Sequence, residues 1–244
     1  MPLTYDICCF LGCHHNMDVV ELEPHLFNIP SVINIVGSSG SGKTSLVRQI
    51  INQKKHLFQL EITGVYYAYT QWQHIFSTDE VFKDVEFIEG LPTPEQLEDI
   101  AEKHADHGHL LVLDDMMDIN VRSQLVSDIA TRHSHHRKVA LIIQSQNLYP
   151  KGPFSRNIAL NTTHFIFTRN LRDVAQIKYF SSQVFHEKGI QKKFMEIYYD
   201  SVDNFMGKIP ITFLMVICHP LYHRSIRLMT NCFQDQPPVV YKIS

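Results

Sequence analysis

The stretch Val32-Ile33-Asn34-Ile35-Val36-Gly37-Ser38-Ser39-Gly40-Ser41-Gly42-Lys43-Thr44 decides the reading of this 244-residue chain. Its opening is a short β-branched run, which predicts a buried strand. From Gly37 to Thr44 it matches G-x-x-x-x-G-K-[ST] in full. The glycines let the backbone curl so that successive N–H groups point inward. A helix predicted from about Lys43 to Gln53 turns its positive end to the same point. Such a loop is a receptor for nucleotide phosphates, with Gly37, Ser38, Ser39, Gly40, Ser41, Gly42, Lys43, Thr44 and Ser45 as candidate contacts. Lys43 is expected to reach the β- and γ-phosphates of ATP, and the Thr44 hydroxyl to ligate Mg2+.

Further along, Leu110-Leu111-Val112-Leu113-Asp114-Asp115 is an apolar run ending in two acids. A buried parallel strand delivers whatever follows it to the carboxyl edge of the sheet, where the glycine loop also lies. Asp114 is therefore the candidate Mg2+ ligand, acting through water, and Asp115 the group that orients or deprotonates the attacking water. A third apolar run, Val139–Ile143, leads into Gln144-Ser145-Gln146-Asn147. A glutamine there can sense the γ-phosphate through that water, and the pattern leaves Gln144 and Gln146 both open.

From Ser31 onward strands and helices alternate, which predicts an α/β fold with a mostly parallel central sheet flanked by helices. Residues 1–30 are set apart as an N-terminal leader, and 31–244 as one P-loop ATPase domain. Further strands are expected at Val65–Tyr69, Phe165–Phe167, Ile211–Ile217 and Val239–Tyr241. Thr93-Pro94-Glu95-Gln96 reads as a helix start, with Thr93 capping, Pro94 in the first turn and Gln96 at the capping-box position. Leu97, Ile100, Ala101 and His104 then share one face. Another helix is expected near Asn120, with Val121, Leu125 and Ile129 in register, and two more after Leu171.

Composition bounds what the chain can be. A hydrophobic fraction of 44% supplies a sizeable core. A formal net charge of −3 excludes a nucleic-acid binder driven by bulk basicity. Any DNA contact must come from a local patch, or from several subunits focusing charge into one channel. The first thirty residues lack a secretory pattern, and Ile211–Cys218 is too short to cross a bilayer. An intracellular, non-secreted protein without a membrane-spanning segment is expected. Cys8, Cys9, Cys13, His14 and His15 offer zinc-type ligands, but at no common zinc spacing, so thiols of a reducing compartment are the simpler reading. Arg132-His133-Ser134-His135-His136-Arg137 is open between a metal site, a phosphate contact at a subunit boundary and a solvated helix end.

Taken in order, the motifs resemble a known family. They are the glycine loop, Tyr69-Thr70-Gln71-Trp72-Gln73, Phe87-Ile88-Glu89-Gly90-Leu91-Pro92, Leu113-Asp114-Asp115-Met116-Met117 and Ser134-His135-His136-Arg137. Then come Gln146-Asn147-Leu148-Tyr149, Arg156-Asn157-Ile158-Ala159-Leu160-Asn161, Arg169-Asn170-Leu171-Arg172-Asp173 with Gln176-Ile177, and Arg227-Leu228-Met229-Thr230-Asn231. Together they cover nearly everything from Ser31 onward. The chain resembles the genome-packaging ATPases of the FtsK/HerA superfamily, closest to those of Polinton-type elements and adintoviruses, with the poxvirus packaging ATPase more distant.

The resemblance implies a RecA/FtsK-like P-loop fold and favours Gln146 over Gln144 as the sensor glutamine. It implies an arginine finger acting on a neighbouring subunit, with Arg156, Arg169 and Arg172 as candidates. It also implies a homo-oligomeric ring that moves double-stranded viral DNA into a capsid, with capsid or vertex proteins as partners. The setting would be an infected cell, nucleus or cytoplasm, or the virion. Apart from the resemblance, Lys188, Lys192, Lys193, Arg224 and Arg227 are candidate DNA contacts, with an exposed basic helix face as the alternative for the lysines. Two departures stand out: Asp114-Asp115 where the superfamily commonly carries Asp-Glu, and Arg169-Asn170-Leu171-Arg172 in place of Lys-Asn-Pro-Arg. Competing classes are a small-molecule kinase, for which no arginine-rich lid is evident, a DNA helicase or pump outside packaging, and a nucleotide-gated binding module without turnover. DNA-stimulated hydrolysis separates the motor from the kinase and the module.

Overall fold

A computed structural model of the chain describes residues 4–5, 20–21, 25–116, 120–133, 137–170, 172–203, 211–220, 228–233, 238–241 and 243. The β-branched run forms strand β1 (Ser31–Val36), buried along its whole length, and the glycine loop leads into helix α1 (Lys43–Asn52). Strand β2 (Ile62–Tyr69) and strand β3 (Glu86–Glu89) follow. Helix α2 (Pro94–Lys103) begins with the expected capping box, Thr93 and Gln96 each bonding the other's backbone. Strand β4 (Gly108–Asp114) ends in the first acid. Helix α3 (Gln124–Asp128), strand β5 (Val139–Ser145), helix α4 (Ser155–Asn161) and strand β6 (His164–Thr168) continue the alternation. Helices α5 (Val174–Val184) and α6 (Lys188–Asp203) precede the short strands β7 (Phe213–Ile217), β8 (Leu228–Thr230) and β9 (Val239–Tyr241).

These nine strands make one sheet in the order β9-β8-β7-β6-β1-β5-β4-β2-β3. The six strands from β6 to β3 run parallel, while β7, β8 and β9 extend the β6 edge antiparallel. The decisive neighbour is β5, which pairs with β1 on one side and β4 on the other, Ser145 opposite Val36 and Gln144 opposite Asp114. The polar end of that strand is thereby set between the glycine loop and the two acids.

Successive residues of a strand face opposite sides, and both sides here are covered. On one face Ile33 and Ile35 of β1, Val112 of β4 and Ile142 of β5 pack with Leu46, Val47 and Ile50 of α1. On the other, Val32, Leu111, Leu113 and Leu141 meet Leu97 and Ile100 of α2, Val126 of α3 and Ile158 of α4. That face continues over β6 and β7, where Phe165, Phe167, Leu214 and Val216 pack with Ile177, Phe180, Phe194 and Tyr198 of α5 and α6. Each such buried side chain contributes about 1.5–3 kcal/mol, so the sheet and its loop ends form a stiff platform.

The helix expected near Asn120 starts later. Ser123 caps α3, accepting from the Val126 N–H at 3.3 Å, and a π-helical turn, Ile129–His133, follows. Val121-Arg122 is instead a turn held from outside: the Phe154 N–H donates to the Val121 carbonyl at 3.1 Å. Val121 and Ile129 are buried as expected, joined by Val126, Ser127 and Ala130, while Leu125 is only half-buried. The strand expected from Ile211 begins at Phe213.

Near the N-terminus Thr4–Tyr5 pairs antiparallel with Val20–Glu21, and fully buried Phe27 bridges to Phe58 in the core. The cluster Cys8, Cys9, Cys13, His14 and His15, the side chains of Arg132 to His136, and Arg224 and Arg227 lie outside the described residues. Among the described residues no helix is long and apolar enough to cross a membrane, and no group of three His, Cys, Asp or Glu side chains is arranged to hold a metal ion.

Candidate active site

The glycine loop leaves β1 under tight control. The Gly37 N–H donates to the Ser145 carbonyl at 3.1 Å, and the Ser41 N–H closes back on the Ser38 carbonyl at 3.2 Å. Gly40 and Gly42 adopt φ of 75° and 91°, which is why glycine stands at both, and Gly42 caps α1 in that conformation. Gly37 is required for a different reason, close approach: a Cβ there would fall 1.7 Å from Thr168 Oγ1 of β6. The result is a curled backbone at the positive end of a ten-residue helix, a receptor for an anion. Lys43 Nζ folds over it, donating to the carbonyls of Gly37 at 2.9 Å and Ser38 at 3.1 Å. Burial lowers the Lys43 pKa, and the carboxylates of Asp115 and Asp114 oppose that shift.

The two acids lie across the loop and differ in kind. Asp114 ends β4 and is buried, and its Oδ2 accepts from Tyr67 Oη at 2.9 Å and from Gln73 Nε2 at 2.9 Å. Burial raises its pKa. The Tyr67 bond pulls it back, the Asp115 charge adds to the rise, and Lys43 and Gln73 lower it. Asp115 is exposed and sits at φ 50°, left-handed backbone. Asp and Asn are the non-glycine residues that visit this region routinely, while a longer side chain such as glutamate bears the usual penalty of roughly 1 kcal/mol. The aspartate in place of the superfamily's glutamate thus suits its backbone.

Of the two candidate glutamines, the structure brings Gln146 to Asp115. Its Nε2 donates to both carboxylate oxygens, at 3.2 and 3.1 Å. Gln144 is fully buried and donates instead to Tyr67 Oη at 2.8 Å, so it reaches Asp114 indirectly. Lys43, Thr44, Ser39, Gly40, Ser45, Asp114, Asp115 and Gln146 share one cleft of about 560 Å³, walled on its far side by the segment Thr70–Gln73. Trp72, the only tryptophan, is 50% exposed at that wall. Tyr67 and Gln73 belong to this site although the sequence assigns neither a role in it. Gln73 closes the motif Tyr69-Thr70-Gln71-Trp72-Gln73, while the only signal at Tyr67 is its place in a strand.

The arginine candidates stand elsewhere. None of the three is among the described residues lining the Asp114–Asp115 cleft. Arg169 follows β6, pairs with Asp203 Oδ1 at 3.1 Å, and lines a second cleft of about 570 Å³ behind Gly40–Gly42. The carbonyl of Arg169 accepts from Ser38 Oγ at 3.3 Å, tying this segment to the glycine loop. Arg156 on α4 and Arg172 before α5 are exposed. Lys188, Lys192 and Lys193 are exposed on α6, with Lys192 3.9 Å from Glu196.

With this geometry in hand, known proteins offer points of comparison. A family profile described as "Poxvirus A32 protein" matches residues 21–209. No curated protein matches the chain by sequence. Among solved structures, B204, the DNA-packaging ATPase of Sulfolobus turreted icosahedral virus, superposes with a TM-score of 0.51 at 16% identity, covering 78% of this chain and 94% of that one. The genome-packaging NTPase B204 of Sulfolobus turreted icosahedral virus 2, in complex with sulfate, gives 0.51 at 15% identity over 80% and 92%. The cytoplasmic domain of the type VII secretion ATPase EccC of Thermomonospora curvata gives 0.50 at 13% identity, over 100% of this chain and 28% of that one. At such identities these likenesses speak to the fold, which is that of the P-loop ATPases.

Proposed function

The chain belongs to the poxvirus A32 protein family, and on that premise we propose that it is an ATPase that drives double-stranded viral DNA into a capsid, working as a homo-oligomeric ring. The observation that carries the reading is the meeting of Lys43, Thr44, Asp114, Asp115 and Gln146 around one cleft at the carboxyl edge of the sheet. The likeness in fold to a viral DNA-packaging ATPase supports it.

The donor set fits Mg2+. Thr44 offers a hydroxyl and Asp114 a carboxylate, both hard oxygen ligands, and a magnesium site shared with nucleotide phosphates needs only one or two carboxylates. When bound, the ion would neutralise phosphate charge, with Thr44 and Asp114 holding it. The chain's own groups do the rest. The backbone N–H groups of residues 37–44 and the Lys43 ammonium bind and neutralise the β- and γ-phosphates of ATP. Asp115 accepts a hydrogen bond, and then a proton, from the water that attacks the γ-phosphorus. Gln146 fixes the Asp115 carboxylate through its amide N–H and keeps its carbonyl oxygen for the same water. One of Arg156, Arg169 and Arg172, reaching the cleft of a neighbouring subunit, completes the charge stabilisation. Hydrolysis then alters subunit packing and moves the DNA, inside the infected cell or at the virion vertex.

The test is Asp115→Asn, which keeps the backbone conformation and removes the base. Nucleotide affinity should hold within about twofold while kcat falls by about 10²–10⁴. Unimpaired turnover would remove Asp115 from the chemistry and leave the cleft without a base.

A further inference from the structure

We propose that Tyr67, Gln144 and Gln73 are positioning residues that clamp one oxygen of Asp114 so that the other is presented to the divalent cation accompanying the nucleotide. The inference rests on the reading of Asp114 as a ligand of that cation. Both donors converge on Asp114 Oδ2, Tyr67 Oη and Gln73 Nε2 each at 2.9 Å. An ionised carboxylate only accepts, so the single phenolic proton of Tyr67 goes to Asp114. The phenolic oxygen must then accept from Gln144 Nε2, 2.8 Å away, which fixes the orientation of that amide. Two donors fill the lone pairs of Oδ2 and leave Oδ1 as the ligand oxygen.

Three features say the chain serves orientation rather than stability. First, Gln144 is fully buried, and its Oε1 has no partner among the described residues. An orphaned buried acceptor costs about 1–3 kcal/mol, which an apolar residue of the same size would avoid. Second, the Tyr67 ring is locked by packing, with centroids 4.8 Å from Phe76 and 5.7 Å from Phe87, so its hydroxyl has little freedom to leave Asp114. Third, one strand serves both acids: Gln144 of β5 steadies Asp114 through Tyr67, and Gln146, two residues on, holds Asp115. Groups that orient metal ligands from behind typically change metal affinity or activity 10–100-fold when removed.

The experiment uses the full chain. Mn2+ binding to its complex with a non-hydrolysable ATP analogue is followed by electron paramagnetic resonance, and metal-free nucleotide binding by the fluorescence of Trp72. Tyr67→Phe keeps the ring and removes the hydroxyl. It should weaken Mn2+ binding about 10–100-fold and raise the Mg2+ half-saturation of hydrolysis in parallel, with metal-free nucleotide affinity unchanged and much of kcat recovered at saturating Mg2+. Gln73→Leu alters a loop residue outside the core and should weaken Mn2+ several-fold; it decides the matter if Tyr67→Phe fails to fold. Wild-type Mn2+ affinity in either folded variant overturns the clamp alone. Failure of the wild-type nucleotide complex to bind Mn2+ overturns both the clamp and the reading of Asp114 beneath it.

Discussion

Gly37→Ala tests the packing beneath the glycine loop. A Cβ at Gly37 would lie 1.7 Å from Thr168 Oγ1, 2.6 Å from Ser41 Oγ and 3.1 Å from Thr168 Cβ. Thr168 is fully buried, and its Oγ1 donates to the Val36 carbonyl at 3.2 Å and shares a hydrogen bond with Ser41 Oγ at 2.6 Å. The threonine must rotate away and lose both bonds, at about 1 kcal/mol each, and the overfilled site adds about 1–3 kcal/mol. The sum, about 3–5 kcal/mol, is a large fraction of a domain's stability and lowers Tm by roughly 10 °C for a chain of this size. Thermal unfolding followed by circular dichroism reads the shift. Thr168→Ala removes the colliding oxygen, so the double variant should be less destabilised than the sum of the singles by at least about 1 kcal/mol. A Gly37→Ala protein melting within about 2 °C of wild type, or strict additivity in the double variant, would refute the argument.

Three further outcomes are expected. Among Arg156→Ala, Arg169→Ala and Arg172→Ala, one should lower kcat by about 10³–10⁵ with nucleotide affinity kept, and regain part of its turnover when mixed with Lys43→Ala subunits that still carry the arginine; no regain in any mixture would exclude a trans-acting finger among the three. His109, a buried residue of β4, has its pKa pushed down to about 4 by burial, then by His104 and Arg137. Its folded value lies below the unfolded one, so its contribution is complete above about pH 6.5 and is lost as pH falls towards 4, by up to about 3 kcal/mol; denaturant unfolding across that range should show a shallower slope for His109→Leu. Thr93→Ala removes the α2 cap and should cost about 1 kcal/mol, a fall of about 2–4 °C in Tm.

What the sequence makes legible here is what local chemistry fixes. The strand before Gly37, the glycine loop and the helix after it form one uninterrupted pattern, and the capping box at Thr93 is spelled out by its residues. The acids after Leu113 gain their meaning from the glycine loop upstream, since an apolar run ending in acids is common by itself. The placement of β5 between β1 and β4 is non-local, and with it goes the choice between Gln144 and Gln146 that the residues alone left open. The roles of Tyr67 and Gln73 stayed hidden for the same reason, although Gln73 stands in a recognisable motif. Their meaning depends on β2 lying against β4 in a register that sets Tyr69 opposite Asp114. The helix expected near Asn120 is present but starts at Gln124, because tertiary packing at Val121 overrides periodicity in its first turn. Gly152 lies so close to Val121 that a Cβ there would meet Val121 Cγ2 at 2.5 Å, which holds that segment as a turn. Strand β8 (Leu228-Met229-Thr230) carries no run of β-branched or aromatic residues to mark it, unlike the equally short β9 (Val239-Val240-Tyr241).

The central claim is tested most directly by measuring ATP hydrolysis with and without double-stranded DNA, across protein concentration, beside Lys43→Ala. Turnover that rises with DNA, steepens with concentration and disappears in Lys43→Ala is the predicted result. Turnover indifferent to both DNA and concentration, or surviving in Lys43→Ala, would contradict the assembling DNA motor.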